Sequence, residues 1–111
     1  MRDGNQPQYG YGDFDRPLWT ARDRDAAAIR QVLRRAGHRE FTLGLAPGLA
    51  ERHGGFVVED GEAPATFLVA RAGLRDGAAA GEARRYAEAL TTAGYQVTPD
   101  PDGDRVLQVR R

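Results

Sequence analysis

The chain has 111 residues, of which 41% are hydrophobic and 29% are charged, and its sixteen basic side chains balance its sixteen acidic ones. These values are typical of a single globular domain. Every basic residue is an arginine, and the sequence contains no lysine, cysteine or serine. The composition therefore excludes Schiff-base and P-loop enzymes, thiol catalysis, disulfides and serine hydrolases. Its richness in arginine, alanine and glycine is typical of a high-GC bacterial genome.

The zero net charge bears on partners and on location. A neutral chain has little general attraction for nucleic acid or for an anionic membrane surface. Residues 1–15 are polar and lack the apolar core of a signal peptide. No apolar run approaches the roughly 20 residues of a membrane span. We therefore expect a cytoplasmic protein with no membrane partner.

The first sixteen residues, MRDGNQPQYGYGDFDR, have no helical or strand periodicity. Such a segment buries too little apolar surface to offset its ordering entropy. We predict a flexible tail over residues 1–16 and a single α+β domain over residues 17–111. Tyr9, Tyr11 and Phe14 alternate with glycine and aspartate, which makes them candidate aromatic contacts for a partner. The alternative is a solvated terminus.

Apolar spacing predicts an amphipathic helix over residues 23–36. The residues of its apolar stripe, at i, i+3, i+4 and i+7, are Ile29, Val32, Leu33 and Ala36. Thr20 and Asp23 have the spacing of a capping box, and Gly37 follows the last residue as a left-handed cap. Leu18 and Trp19, just upstream, predict a short strand before the helix.

A second amphipathic helix is predicted by the same pattern. Its apolar stripe consists of Ala83, Tyr86, Ala87, Leu90 and Ala93. Charged residues occupy the opposite side, and Gly94 ends the helix.

The remaining segments with strand composition are Phe41–Leu45, Gly55–Glu59, Thr66–Arg71, Tyr95–Thr98 and Arg105–Val109. Within them, residues 67–70 are apolar on both faces, which is typical of a central strand. The predicted order is β-α-β-β-β-α-β-β. It favours an α+β fold with two helices packed on one face of a mainly antiparallel sheet, a ferredoxin-like variant.

Positive charge is densest between residues 21 and 40, where six arginines and three carboxylates give a net charge of +3. The candidates for contact with phosphate or with a partner are Arg30, Arg34, Arg35 and Arg39. One interpretation is a nucleic-acid surface, and the other is a solvated helix face. The neutral total charge favours the solvated face.

No motif in the sequence predicts a metal site, a cofactor or a catalytic residue. His38 and His53 lie near Glu40 and Glu51, but neither an HExxH-type spacing nor a serine or cysteine nucleophile accompanies them. The acidic turn at residues 100–104 lacks the glycine at position six and the glutamate at position twelve of an EF-hand. We interpret the histidines as capping or solvated groups and the turn as a hairpin connection.

These observations lead to one functional hypothesis and two alternatives. The leading one is a small non-enzymatic protein-interaction or regulatory module that docks a protein partner or a second copy of itself. The docking surface would be the sheet face or edge that the two helices leave uncovered, and the apolar groups at residues 67–70 favour a homodimer. The first alternative is a nucleic-acid-binding domain that uses the arginine face of the first helix. The second is a small enzyme that uses His38 or His53.

Overall fold

The computed structural model of the chain describes residues 6–12, 15–41, 54–63, 65–72, 76–100 and 103–111. Its elements, in chain order, are α1 (Ala21–Arg35), β1 (Gly55–Asp60), β2 (Thr66–Ala72), α2 (Asp76–Thr92), β3 (Gln96–Asp100) and β4 (Gly103–Arg110). The strands form one antiparallel sheet in the spatial order β1-β2-β4-β3. This confirms an α+β fold that combines two helices with an antiparallel sheet.

Helix α1 spans Ala21–Arg35, so it begins two residues before the predicted range of 23–36 and ends one residue earlier. The prediction is wrong for Ala36 of the apolar stripe, which is the exposed C-cap. Thr20 is the N-cap: its Oγ1 accepts a hydrogen bond from the Asp23 N–H at 3.0 Å, and the Asp23 carboxylate accepts one from the Thr20 N–H at 3.1 Å. This capping box satisfies two backbone donors. At the other end Gly37 has a φ of 94°, and the His38 N–H donates to the Leu33 carbonyl at 3.0 Å. Glycine adopts this left-handed conformation without strain, so the helix stops there.

Helix α2 confirms most of the second predicted stripe. The stripe residues that are buried or packed on the core are Ala83, Tyr86, Ala87 and Leu90. The prediction is wrong for Ala93, which is exposed because the helix ends at Thr92. Gly94 follows with a φ of 99°, the left-handed value expected of a glycine that ends a helix.

The strand predictions are confirmed for the two hairpins, β1–β2 and β3–β4, and β2 occupies a central position. The strand predicted at Leu18 and Trp19 is not part of the sheet. The Leu18 N–H instead donates to the Gly10 carbonyl at 2.9 Å, which pairs this stretch with the N-terminal segment. The strand predicted at residues 41–45 lies outside the described residues, apart from Phe41. The order of the described elements is therefore α-β-β-α-β-β.

Both helices pack apolar side chains of their predicted stripes into the same cluster as one face of the sheet. The buried members are Ala26, Ile29, Leu33, Phe56, Phe67, Val69, Tyr86, Leu90, Leu107 and Val109. Strand register explains the set, because cross-strand partners share a face: Phe67 lies opposite Val109, and Val69 lies opposite Leu107. Each large side chain that is fully buried here contributes about 1.5–3 kcal/mol to folding.

The N-terminal segment makes backbone contacts of its own. The Tyr9 N–H donates to the Leu18 carbonyl at 3.0 Å, and the Gly12 N–H donates to the Arg16 carbonyl at 2.7 Å. The guanidinium carbon of Arg24 on α1 lies 5.0 Å from the centre of the Tyr9 ring, within the range of a cation–π contact. The flexibility predicted for residues 1–16 stays a prediction, because mobility is measured by hydrogen exchange rather than by contacts.

The segment after α1 forms a short parallel pairing with the outer edge of β1. The Phe41 N–H donates to the Phe56 carbonyl, and the Phe56 N–H donates to the Arg39 carbonyl, both at 2.9 Å. We call residues 38–41 the edge segment. Gly55 permits this approach, since a Cβ at that position would lie 2.5 Å from the Phe41 nitrogen and 2.7 Å from the Arg39 oxygen. Any other residue at position 55 would push the edge segment away from β1.

We therefore predict that Gly55→Ala destabilises the protein by about 2 kcal/mol, because the added methyl group has no room and must break the pairing of the edge segment. Thermal unfolding followed by circular dichroism measures the effect. The matched control is Gly81→Ala in α2, where a Cβ meets nothing within 4 Å. The control should be neutral or stabilising by about 0.5–1 kcal/mol, since alanine favours a helix. Equal melting temperatures for Gly55→Ala and the parent would contradict the pairing.

Candidate functional site

Three arginines converge on the carboxylate of Glu40, in the edge segment. Arg16 Nη2 lies 3.1 Å from Glu40 Oε2, and Arg30 Nε lies 3.7 Å from the same oxygen. Arg34 Nη2 donates to the other oxygen, Oε1. The Glu40 side chain is only 17% exposed, so water screens these contacts weakly. We call these four residues the Glu40 cluster; three guanidiniums and one carboxylate give it a net charge of +2.

Arg30 also bonds to the outer edge of β1. Its Nη2 donates to the Val58 carbonyl of β1 at 3.5 Å. Burial lowers the pKa of Arg30 from its ordinary value, and the neighbouring charge of Arg16 lowers it further, while Glu40 opposes both effects. An arginine stays protonated at neutral pH despite such a shift. The side chain therefore remains a cation that forms an ion pair with Glu40 and donates a hydrogen bond to the strand edge.

A second group of charged side chains surrounds Glu82 on α2. Arg85 Nη1 lies 2.9 Å from Glu82 Oε1, and Arg71 Nη1 lies 3.5 Å from the same oxygen. His38 Nδ1, from the edge segment, lies 3.8 Å from Glu82 Oε2. The Arg71 side chain is only 10% exposed, whereas that of Arg85 is 68% exposed. We call these four residues the Glu82 cluster.

Tyr86 forms the apolar floor next to the Glu82 cluster. Its ring packs edge-on against the His38 ring, with centroids 4.8 Å apart and an interplanar angle of 90°. It also packs against Phe56, with centroids 6.1 Å apart. Burial raises the pKa of Tyr86 to about 12, and the negative charge of Glu82 adds to the effect. Its hydroxyl therefore stays protonated at neutral pH.

The Glu82 cluster and the edge segment enclose a polar cavity of about 280 Å³. The larger residues that line it are His38, Arg39, Arg71, Glu82, Arg85 and Tyr86. The backbones of Gly37 and Gly55 complete the wall. Those two glycines end α1 and permit the approach of the edge segment, so the backbone features that set the fold also shape the cavity.

The face of the sheet that points away from the helices has an apolar centre. Val57 lies opposite Ala70, and Ala70 lies opposite Val106, so these three side chains form one row across β1, β2 and β4. Leu68 lies on the same face, two residues from Ala70, because side chains alternate along a strand. All four are half-buried. We call this the open face. This placement confirms that residues 67–70 present apolar groups on both sides of the sheet.

The four arginines predicted as one contact surface have different surroundings. Arg30 and Arg34 are half-buried against Glu40, whereas Arg35 and Arg39 are exposed. Among the described residues, α1 and the edge segment thus present two of these four guanidiniums openly to solvent. This smaller charge density makes α1 a weaker match for a nucleic-acid backbone than the sequence pattern indicates.

The structure also separates the predicted aromatic contacts. Tyr9 is half-buried beneath Arg24, whereas Tyr11 is 60% exposed. Phe14 lies outside the described residues, as do His53 and Glu51. The candidate aromatic surface is therefore described only in part.

Sequence reasoning missed the residues that organise the two clusters. Arg16 belongs to the predicted tail, yet it pairs with Glu40, 24 positions away. Arg71 and Glu82 are strand and helix residues with ordinary polar neighbours in the sequence. No motif or spacing rule joins them, because ion pairs between elements depend on tertiary packing. The one available signal was the position of His38 and Glu40 directly after a helix cap.

Comparison with protein-family models, with curated proteins and with solved structures gives no match. Across the described residues, no group of three or more histidine, aspartate or glutamate side chains is arranged to hold a metal ion. Neither helix of the described chain combines the length and apolarity needed to cross a membrane. The features that bear on function are therefore the two clusters, the cavity and the open face.

We predict that Glu40→Gln lowers the free energy of unfolding by about 2 kcal/mol, because it leaves three half-buried guanidiniums without their shared countercharge. Urea unfolding at neutral pH measures the change. The control is Glu62→Gln, which removes a carboxylate that is exposed in the turn between β1 and β2. Its effect should stay within about 0.5 kcal/mol. Similar values for the two variants would show that the Glu40 cluster does not stabilise the fold.

Proposed function

We propose that the chain is a small non-enzymatic protein-interaction module that associates with a second copy of itself through the open face. The observation that supports this proposal is the apolar row of Val57, Ala70 and Val106, extended by Leu68, on the side of the sheet opposite the helices. A partner that covers this row would remove apolar surface from water, which is the main driving force for association.

The edges of the sheet favour the face over edge-to-edge pairing as the docking surface. The outer edge of β1 already bonds to the edge segment at Phe56 and to Arg30 at Val58. At the opposite edge, β3 contains Pro99 and has a register irregularity between Pro99 and Asp100. Proline and bulges are devices that protect an edge strand from pairing with another chain.

A second copy is the occupant that the charges favour. The open face has Glu59 on β1 and Arg110 on β4, both exposed, so it offers one group of each sign. Two copies related by a two-fold axis can pair such groups reciprocally. The zero net charge of the whole chain also removes the repulsion that would oppose association.

The size of the sheet sets the expected strength of the dimer. Four strands of this length present a face of roughly 400 Å² before side-chain corrugation is counted. Stable interfaces bury about 800 Å² on each partner, and smaller ones belong to weak or transient complexes. The proposed dimer is therefore a micromolar one, in the range expected of a reversible regulatory contact.

The chemistry of the described residues also favours a non-enzymatic role. The chain lacks serine and cysteine. Burial keeps the Tyr86 hydroxyl protonated, so it is a poor nucleophile. His38 contacts a carboxylate that two arginines already share, an arrangement typical of a structural ion-pair network.

The finer fold assignment, a ferredoxin-like variant, stays a prediction. A ferredoxin-like fold has the order β-α-β-β-α-β. Moving its first strand to the end of the chain gives α-β-β-α-β-β, which is the order of the described elements. The end of β4 lies near the start of α1, as this relation requires: Arg111 Nη1 is 3.5 Å from Asp25 Oδ1.

We predict that light scattering coupled to size exclusion gives a mass that rises from 12.1 kDa toward twice that value as the concentration increases through the micromolar range. Leu68→Glu should remain a monomer at every concentration, because it places a charge in the apolar centre of the interface. Its helical content should not change, since the side chain lies outside the helix-facing core.

The control variant is Gln31→Glu, which adds the same charge on the exposed surface of α1. It should dimerise like the parent chain. A parent mass of 12.1 kDa at all concentrations would overturn self-association. Dimers of equal strength in Leu68→Glu would place the interface elsewhere.

A further inference from the structure

Two large aromatic side chains are exposed near the N-terminus. Among the described residues, the large hydrophobic side chains that remain exposed are those of Tyr11, at 60%, and Trp19, at 49%. The two clusters, the cavity and the open face do not use them. Exposed aromatic side chains that lie together are typical of an interaction surface, because they offer apolar area and a polar group at once.

Backbone pairing places both side chains on one side of a short hairpin. Tyr11 lies opposite Pro17 in an antiparallel bridge, and backbone hydrogen bonds of 2.9 and 2.7 Å flank the pair. Facing residues between such bonds have close side chains. Trp19 follows Pro17 by two positions, and both are exposed, whereas Leu18 between them is buried. Side chains alternate along a strand, so Tyr11, Pro17 and Trp19 share the outer side. We call these three residues the aromatic clamp.

The spacing of the two rings determines what fits between them. Trp19 is the diagonal neighbour of Tyr11 across the hairpin, and diagonal side chains lie about 7–8 Å apart. Carbon atoms in contact are separated by about 3.5–4.0 Å, so one flat ring between two others needs roughly the same 7–8 Å. The clamp therefore has room for a single small ring, with Tyr11 and Trp19 as walls and Pro17 as the floor.

The Trp19 wall is held in place and carries a hydrogen-bond donor. Its backbone N–H donates to the Asp23 carboxylate at 2.9 Å as part of the cap of α1, and the preceding Leu18 is buried. A binding surface that is ordered in advance loses little entropy when a ligand binds. Within the described part of the chain, the indole N–H of Trp19 forms no hydrogen bond. It is therefore available to a ligand carbonyl.

Area and charge favour a short neutral peptide as the ligand. Tyr11 and Trp19 together expose roughly 200 Å². A stable interface between folded proteins buries about 800 Å² on each partner, so a folded domain or a second copy is too large for the clamp. Its three side chains carry no charge, so an ionic ligand finds no countercharge there. A polyproline II helix meets these conditions, since it presents prolyl rings and carbonyls that its own backbone leaves without partners.

We propose that the aromatic clamp binds a proline-rich segment of another protein in the polyproline II conformation. One prolyl ring lies between Tyr11 and Trp19, and the indole N–H donates to a carbonyl of the segment. Such a segment is already extended before it binds, so little ordering entropy opposes the contact. A Cβ at Gly12 would lie 3.4 Å from Ala27 of α1, which shows that the hairpin packs on the helix layer. The clamp is therefore separate from the open face.

The test uses the fluorescence of Trp19, because it is the one tryptophan of the chain. The full chain is titrated with an end-blocked oligoproline peptide and, separately, with a proline-free peptide of glycine and glutamine of the same length. We expect a saturable change with oligoproline and a dissociation constant of about 0.1–1 mM, the strength that burial of a small apolar surface supports. The proline-free peptide should give no saturable change.

The decisive variant is Tyr11→Ala, which removes one wall and leaves the reporter in place. It should weaken binding by about tenfold, because the prolyl ring loses one of its two aromatic contacts. The matched control is Tyr11→Phe, which keeps the ring and should bind like the parent. Both variants should melt like the parent, since the side chain is exposed.

An equal response to the proline-free peptide would overturn the proposal, and so would unchanged binding in Tyr11→Ala. Leu68→Glu, which changes only the open face, should bind oligoproline like the parent. Weaker binding in the parent than in Leu68→Glu at high protein concentration would show that a second copy covers the clamp. A parent that stays monomeric and binds oligoproline would contradict the proposed dimer alone, so the two proposals fail separately.

Discussion

The pairing of the edge segment with β1 is the constraint on which both charged clusters depend. The backbone hydrogen bonds of Arg39 and Phe41 to Phe56 fix the two residues that lie between α1 and the sheet. The first is His38, which contacts Glu82 on α2. The second is Glu40, which forms ion pairs with arginines of α1 and of the N-terminal segment. A shift of this short strand would therefore disturb both clusters and the cavity wall together.

Arginine performs every cationic role in this chain, and its chemistry explains how the clusters are built. A planar guanidinium can share one carboxylate with several neighbours, because its donors point in fixed, separate directions. Glu40 and Glu82 each form ion pairs with more than one arginine in this way. Arg30 keeps its charge even though burial lowers its pKa, so it donates a hydrogen bond to the edge of β1 and forms an ion pair with Glu40.

Local features of the sequence predicted local structure well. Three features affect only the backbone within a few residues of their own position. They are the capping box at Thr20, the glycines after both helices and the apolar run at residues 67–70. Their effects could therefore be predicted without knowledge of the fold. The same reasoning failed at Leu18, where a few residues of strand composition pair with the N-terminal segment instead of the sheet.

The candidate sites depend on contacts between distant parts of the chain. The ion pairs of Arg16 with Glu40 and of His38 with Glu82 join elements that only the fold brings together. The four arginines predicted as one surface were divided for the same reason, since half of them face Glu40. The sequence could predict that the sheet has an apolar second face, because a strand with apolar groups on both sides needs both sides shielded from water. It could not predict which residues of the other strands share that face.

Amide hydrogen exchange at Phe41 and Phe56 tests this account most directly. If the edge segment is paired with β1, both amides should exchange with protection close to that of the core strands, because each donates a hydrogen bond within the described fold. Exchange of both amides at the rate of an unstructured peptide, while the β2 and β4 amides stay protected, would contradict the pairing. The common origin of the two clusters and the cavity wall would then be lost.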